Sequence, residues 1–386
     1  MSLSSLTHRF TELHDALQGV DGISFADDFR FVDVTTLHLG GRPAGAVRCA
    51  TTDALATAVA RADSLNLPLL VVGGGSNLVV ADGDLPLVAV VADCPDIDID
   101  ADSGLLRADA GAVWDDVVSA SIDAGLGGIE CLSGIPGSAG ATPVQNVGAY
   151  GVEIADVLTR VLLLERATGA VDWVPASSLD LGYRTSNLKH TGRGVVLAIE
   201  LQLRTDGSSA PLRFGELARR LGVTADDTGA RGTVRHPSPL VREAVLELRR
   251  GKGMVHDPAD HDTWSAGSFF TNPIVADTDV AGVRAAVSRL HGVDVADAMP
   301  CYPAGEGCSK LSAAWLIERA GFVRGHPGPE APARLSTRHT LALTNRGRAT
   351  TADLVALARE VRAGVWDAFG VTLHPEPVWV GVDIDG

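Results

Sequence analysis

The sequence predicts a protein of mixed α and β structure in two or three domains, with a first half that reads as an α+β or α/β module. Three observations lead there. Short, fully apolar runs, the mark of buried strands, alternate with segments of 3.6-residue periodicity, the mark of amphipathic helices. The 386 residues exceed what a single core usually serves. The composition, 46% hydrophobic and 21% charged, is that of a folding chain rather than a disordered one.

The first 30 residues read as a short helix and a loop, and 29–46 as extended, turn-rich chain around Gly40-Gly41. Residues 53–66 place Leu55, Ala58, Val59 and Ala62 on one helical face, with Thr52 or Asp53 to cap the start. Residues 68–72 are a buried strand, followed at once by Gly73-Gly74-Gly75-Ser76-Asn77; 78–81 and 87–91 read as further strands. Residues 114–124 form a second helix closed by Gly125. Residues 127–151 are small, polar and glycine-laden, with no hydrophobic period. Strands are expected at 157–165, 170–174 and 194–204, and a Gly/Ser-rich boundary at 205–211. Beyond it come helices at 239–250, capped by Ser238, 279–291, 310–320 and 352–369, with strands near 340–344 and 378–382.

Composition also excludes functions. With 32 Lys and Arg against 48 Asp and Glu, the formal charge is −16, the wrong sign for a nucleic-acid binder. No apolar run approaches the ~20 residues that span a bilayer. The first 16 residues lack the basic start and apolar block of a secretion leader, so a cytoplasmic protein is expected. The five cysteines, Cys49, Cys94, Cys131, Cys301 and Cys308, are odd in number and form no CxxC pair, so reduced thiols are expected rather than a disulfide framework or a metal site.

Two segments carry chemistry. A strand running into Gly73-Gly74-Gly75 lets consecutive backbone N–H groups converge on an anion, because Cβ atoms would block close approach and positive φ. Ser76 and Asn77 add side-chain donors, so a phosphate or pyrophosphate is the natural guest. The loop is neither a Walker A motif nor a GxGxxG opening a helix. Gly134-Ile135-Pro136-Gly137-Ser138-Ala139-Gly140-Ala141-Thr142 and Gln145-Asn146-Val147-Gly148-Ala149-Tyr150-Gly151 could line the remainder of one extended cofactor. Ser138, Gln145 and Asn146 can meet ring edges and ribose hydroxyls.

These strings resemble the FAD segments of the UDP-N-acetylenolpyruvoylglucosamine reductase family, also called UDP-N-acetylmuramate dehydrogenases. Gly182-Tyr183-Arg184-Thr185-Ser186, Gly267-Ser268-Phe269-Phe270-Thr271-Asn272-Pro273, Lys310-Leu311-Ser312-Ala313-Ala314-Trp315-Leu316-Ile317-Glu318 and Pro375-Glu376-Pro377 resemble further motifs of that family, in its order. The resemblance implies an α+β fold: a two-subdomain FAD-binding module of the vanillyl-alcohol-oxidase type at 1–205, a separate α+β substrate-binding domain at 206–372, and a C-terminal strand at 373–386 returning to the active site. It implies FAD held by Gly73, Gly74, Gly75, Ser76, Asn77, Ile135, Gly137, Ser138, Gln145, Asn146, Gly148 and Ala149, with NADPH as reductant. No His or Cys lies between Ala50 and Cys94, where related oxidases tether their flavin, so FAD is expected to be non-covalent. An FAD sugar or alcohol oxidase of the same fold and a nucleotide-binding sensor are the rival readings.

The implied reaction adds a hydride to the terminal carbon of an enolpyruvyl ether on a UDP-sugar. The implied catalytic residues are Arg184, whose planar fork suits a carboxylate, Ser268 as proton donor to C2, and Glu376, pinned between two prolines and paired with Arg184. Tyr183, Arg184, Lys252 and Asn272 are the implied substrate contacts, the last two at the diphosphate. NADPH and the UDP-sugar would share one cleft, with no obligate protein partner. One departure stands out. Many relatives with an insert between the Arg204 and Ser268 positions begin a Tyr-Gly-Asp-Leu-like string with tyrosine; here the string is Phe214-Gly215-Glu216-Leu217, without the phosphate-bonding hydroxyl.

Overall fold

A computed structural model of the chain describes residues 3–213, 215–223 and 234–385. The chain divides into two compact units: Met1–Arg30, Arg42–Gly75 and Asp84–Val255 in the first; Phe31–Gly41, Ser76–Gly83 and His256–Gly386 in the second.

The first unit holds two sheets. One has four strands in the order Ile23–Phe25, Arg42–Cys49, Asp84–Ala92, Leu69–Val72, the last three mutually parallel. Parallel strands need a crossover, and helix Thr52–Ser64 supplies the one from Arg42–Cys49 to Leu69–Val72, which flank Asp84–Ala92. Its Leu55, Ala58, Val59 and Ala62 are buried with Val47, Val88 and Val90, the face read from the sequence. Thr51, not Thr52 or Asp53, caps this helix, its hydroxyl accepting from Ala54 N–H at 3.1 Å. The second sheet is antiparallel, in the order Ala170–Pro175, Leu158–Glu165, Gly194–Gln202, Leu105–Asp109, Ile97–Asp100. Helices Trp114–Asp123 and Ser238–Gly251 share its core through Trp114, Val117, Val118, Val241 and Val245. Each sheet has its own hydrophobic cluster, so two α+β subdomains are present.

The boundary expected at 205/206 is not where packing changes, since the first unit runs on to Val255. Three contacts tie the later segment down. The buried Glu130 carboxylate accepts N–H groups of Gly128 at 2.7 Å and Ala210 at 2.6 Å. Ser238, expected as a helix cap, instead donates its hydroxyl to Leu126 O at 2.9 Å. Arg242 grips Asp115 with both terminal guanidinium nitrogens, at 2.7 and 2.9 Å.

In the second unit, Ile274–Ala276, Cys308–Leu311 and Cys301–Pro303 form a three-stranded antiparallel sheet, and Ala333–Leu335 pairs with Leu343–Asn345. The helix expected at 310–320 begins later: Cys308–Leu311 is strand, and Ser312 caps helix Ala313–Arg319. Helix Thr351–Phe369 opens with a reciprocal Thr350/Asp353 capping box and closes at Gly370, φ +67°. The segment 78–81 does not join the sheet of its sequence neighbours. Leu78–Val80 pairs in parallel with Val378–Val380, 300 residues later. No helix among the described residues is long and apolar enough to cross a membrane.

Candidate active site

In the first unit, the two glycine-rich segments meet. A Cβ on Gly74 would lie 2.7 Å from Gly137 Cα, and one on Gly73 2.0 Å from Ser138 Oγ. Only Gly75 of the triplet has positive φ, +61°. Gly74 is thus required by backbone-to-backbone approach and Gly73 by the approach of the Ser138 side chain, and the left-handed conformation expected of the triplet holds at Gly75 alone. The second segment is in turn fixed to the start of helix Trp114–Asp123: Trp114 N–H donates to Gly137 O at 3.0 Å, and Gly134 N–H donates to Asp115 Oδ1 at 2.6 Å. Far from being a solvated loop, most of 126–143 is buried.

Asn146 is buried at φ +45°, and its side chain is committed to the chain itself. Both amide N–H groups are used, on Glu153 Oε2 at 2.8 Å and Gly182 O at 3.0 Å, and its oxygen accepts from Ala155 N–H at 3.1 Å. It shapes the segment rather than presenting a polar edge. Ile135 and Ala149 pack beside the hydrophobic core, Gln145 is half-buried, and Gly148-Ala149 pairs with Val152-Glu153.

Arg184 sits in a tight turn closed by Gly182 N–H to Thr185 O at 3.0 Å, itself at φ +56°, a conformation that costs a non-glycine residue about 1–2 kcal/mol. Its guanidinium donates to Asn146 O and Gly148 O, and its fork lies 5.4 Å from the Tyr183 ring centroid. Ser186, in the same motif, donates to Val144 O at 2.6 Å. The Tyr183–Ser186 motif is therefore seated on the second glycine segment. Lys252 is the C-cap of helix Ser238–Gly251; it pairs with Glu216 and its ammonium lies 5.9 Å from the Tyr150 ring centroid. Burial pushes the Tyr150 phenol up to about 12. Phe214 lies outside the described residues.

Sequence reading missed Arg249. Its guanidinium donates to Met254 O at 2.8 Å and Gly134 O at 3.3 Å, while its buried Nε has no partner among the described residues. Burial holds its pKa below the usual arginine range. A buried cation short of acceptors calls for an anionic or acceptor-rich neighbour. Beside a seam of glycines that admits no Cβ, this suits FAD, whose pyrophosphate and ring carbonyls are acceptors. The only sequence signal was a pair of arginines in the last turn of a helix, one of which turns inward.

The second unit gathers the other residues. Phe269 and Phe270 are buried anchors, and Phe269 N–H donates to Leu341 O at 2.7 Å. The C-terminal segment returns alongside them: Glu376 N–H donates to Phe269 O at 2.9 Å, Thr271 N–H to His374 O at 3.0 Å, and Val378 N–H to Asn77 O at 2.8 Å. The backbones of Phe269, Thr271, the 374–378 segment and Asn77 thus share one hydrogen-bonded seam, which Ser268 directly precedes in the chain. Asn272 spends its carbonyl oxygen on Ala313 N–H at 2.9 Å, which leaves its amide nitrogen as the group suited to an anion. Arg184 and Lys252 belong to the first unit, Ser268, Asn272 and Glu376 to the second.

Comparison with known proteins agrees with this division. A family model described as an FAD binding domain matches residues 43–174, and one described as the C-terminal domain of UDP-N-acetylenolpyruvoylglucosamine reductase matches 257–380. The UDP-N-acetylenolpyruvoylglucosamine reductase 2 of Corynebacterium glutamicum is 62% identical over 97% of this chain and 99% of its own. The chain belongs to the UDP-N-acetylenolpyruvoylglucosamine reductase family. The reductase of Corynebacterium diphtheriae is also 62% identical, over 98% of this chain and 96% of its own. The crystal structure of the Thermus caldophilus reductase superposes with a TM-score of 0.58 at 23% identity, covering 93% of this chain and 98% of that one. The fold of this family member is the α+β one expected, an FAD-binding module of two subdomains and a separate α+β domain.

Proposed function

We propose that this chain reduces the enolpyruvyl ether of UDP-N-acetylglucosamine enolpyruvate to UDP-N-acetylmuramate, a step of peptidoglycan precursor synthesis. Family membership over nearly the whole chain supports the reaction. The structural observation that supports the reading is the bond from Glu376 N–H to Phe269 O, which joins the C-terminal Pro-Glu-Pro backbone to the residue that follows Ser268, in a motif some 100 residues earlier. Bound FAD supplies the hydride, taken from NADPH, that the terminal carbon of the enolpyruvyl group receives. The rest falls to the chain. As that carbon gains its hydride, the double-bond electrons move toward the substrate carboxylate. Arg184 stabilises the charge developing there, which is larger in the transition state than in the ground state. Ser268 gives its proton to C2, completing the C–H bond, and recovers one from solvent. Glu376 orients the carboxylate or its enol form. Tyr183 shapes the approach to Arg184, while Lys252 and Asn272 hold the diphosphate. The loop 73–77 and the segment 134–151 hold the flavin, without a covalent tether. NADPH and the UDP-sugar use one site in turn, in the cytoplasm, where all five cysteines stay reduced.

Anaerobic spectroscopy of the purified protein tests this reading. NADPH should bleach the flavin, the enolpyruvyl nucleotide should restore its absorbance, and the product should be two mass units heavier than the substrate. Bleaching without restoration would favour a nucleotide sensor. Flavin that is reduced by sugars and reoxidised by oxygen would favour an oxidase.

A further inference from the structure

In the second unit, the turn of residues 35–39 has no task in the reading above. It is stiffly built. Thr35 Oγ1 donates to Leu39 O at 2.8 Å, His38 N–H donates to Thr35 O at 3.0 Å, and His38 is held at φ +49°. Leu37 and Leu39 are buried in the hydrophobic cluster that also contains Phe269 and Phe270. Thr36, 7% exposed, points its hydroxyl at two carbonyls: Ser265 O at 2.7 Å and Ser76 O at 3.3 Å. A hydroxyl has one proton, and the shorter distance assigns it mainly to Ser265.

Ser265 begins the loop that ends in Ser268. Between them Gly267 is left-handed, φ +72°, with its N–H on Ser265 Oγ at 3.2 Å, so the path from Ser265 to Ser268 is a defined turn. Two further contacts hold the same loop to the same turn. The His38 ring stacks on Trp264 at 3.8 Å between centroids, 29° from parallel. Asn345 donates its side-chain amide to Leu37 O at 3.0 Å and His38 O at 3.1 Å, and its backbone N–H to Trp264 O at 3.0 Å.

We propose that Thr36 is a positioning residue for substrate protonation, fixing the Ser268 loop through its hydrogen bond to the Ser265 carbonyl. The proposal rests on the reading of Ser268 as proton donor. Thr36 does not touch the reacting atoms; it sets where Ser268 Oγ stands. Thr36→Val keeps the shape and removes the hydroxyl, leaving the Ser265 carbonyl without its donor. A displacement of the proton donor by about 1 Å is enough for a rate loss of up to ~10²-fold.

The test is stopped-flow flavin absorbance on flavin-loaded parent, Thr36→Val, Thr36→Ser, Ser268→Ala and the Thr36→Val/Ser268→Ala double variant. Thr36→Val should leave reduction by NADPH within about twofold and slow reoxidation by the enolpyruvyl nucleotide about 10- to 100-fold. Thr36→Ser, which keeps the hydroxyl, should restore it, and the double variant should be no slower than Ser268→Ala. Parent-like reoxidation in Thr36→Val, with Ser268→Ala slow, overturns the role of Thr36 and leaves that of Ser268 standing. Parent-like reoxidation in Ser268→Ala overturns the proton-donor reading and this proposal with it. Equal slowing of both half-reactions by Thr36→Val also overturns it, by placing the effect on the cofactor through Ser76. If Thr36→Val fails to hold flavin, His38→Ala removes the ring stack from the same loop and is read by the same half-reaction criteria.

Discussion

Gly73 and Gly74 are neighbours with the same residue type, yet they should respond differently to a methyl group. At Gly74 a Cβ would lie 2.7 Å from Gly137 Cα and 2.8 Å from Gly137 C, both backbone atoms. Carbon atoms pack best at about 3.5–4.0 Å, so the two loops must part by about 1 Å. Overpacking of this kind costs about 1–3 kcal/mol. If that strain is felt where the pyrophosphate binds, Gly74→Ala should weaken FAD by roughly 5- to 150-fold at about 1.4 kcal/mol per tenfold. At Gly73 the obstruction is Ser138 Oγ, 2.0 Å away, with Ser138 Cβ at 3.0 Å. A serine hydroxyl can rotate to another staggered position, so Gly73→Ala should cost about 1 kcal/mol. Ser138→Ala should recover part of that cost in the double variant and do nothing for Gly74→Ala. The assay is titration of apoprotein with FAD, followed by quenching of flavin fluorescence, for both single variants and their combinations with Ser138→Ala. Parent-like FAD affinity in Gly74→Ala would refute the claim that this seam forms the cofactor cradle. Equal losses at the two glycines, both indifferent to Ser138→Ala, would refute the packing argument while sparing the location.

Ser268→Ala should leave anaerobic flavin reduction by NADPH near normal and slow reoxidation by the enolpyruvyl substrate about 10²–10⁴-fold, read as separate half-reactions; normal reoxidation would point to water or Glu376 as the acid. Glu130→Gln turns one carboxylate oxygen, which accepts Gly128 and Ala210 N–H groups, into an NH2 facing an N–H. Urea unfolding should show a loss of about 2–4 kcal/mol, and an unchanged midpoint would mean that Glu130 does not pin the 206–255 segment. Asp109 is pushed from 3.8 up to about 6 by burial and by its neighbour Asp96. The folded state therefore binds its proton more tightly than the unfolded chain, and stability falls as pH rises from about 4 to 6. Asp109→Asn, which mimics the protonated form, should match the parent near pH 4 and be more stable at pH 7.5, by about 1 kcal/mol because the site is only half-buried; a gain that is the same at both pH values would exclude this titration as the cause.

Local patterns decided much of this protein before any tertiary contact was known. The helical face of Leu55, Ala58, Val59 and Ala62, the apolar strand before the glycine triplet, and the stop of the last helix at Gly370 follow from periodicity and the freedom of glycine, which act over a few residues. The motifs Gly73 to Asn77, Tyr183-Arg184, Gly267 to Pro273 and Pro375-Glu376-Pro377 were legible as strings, and their order along the chain pointed to the family. Partnership over long separation was not legible. Nothing local tells Leu78–Val80 to leave its neighbours and pair with Val378–Val380, because a three-residue apolar strand suits any edge of the right register. Nothing in a Gly/Ser-rich stretch announces that Ala210 will dock on a buried carboxylate from Glu130. The side-chain amide of Asn146 looked available to a ligand and is consumed by Glu153 and Gly182; a turn that brings three segments together has to satisfy its own buried polar groups. Thr36, Arg249 and Asn345 carry no motif at all. Their importance comes from what each meets in the folded chain, a carbonyl of the Ser268 loop, a buried pocket short of acceptors, and three backbone groups at once, and such meetings are set by packing across hundreds of residues rather than by composition or spacing.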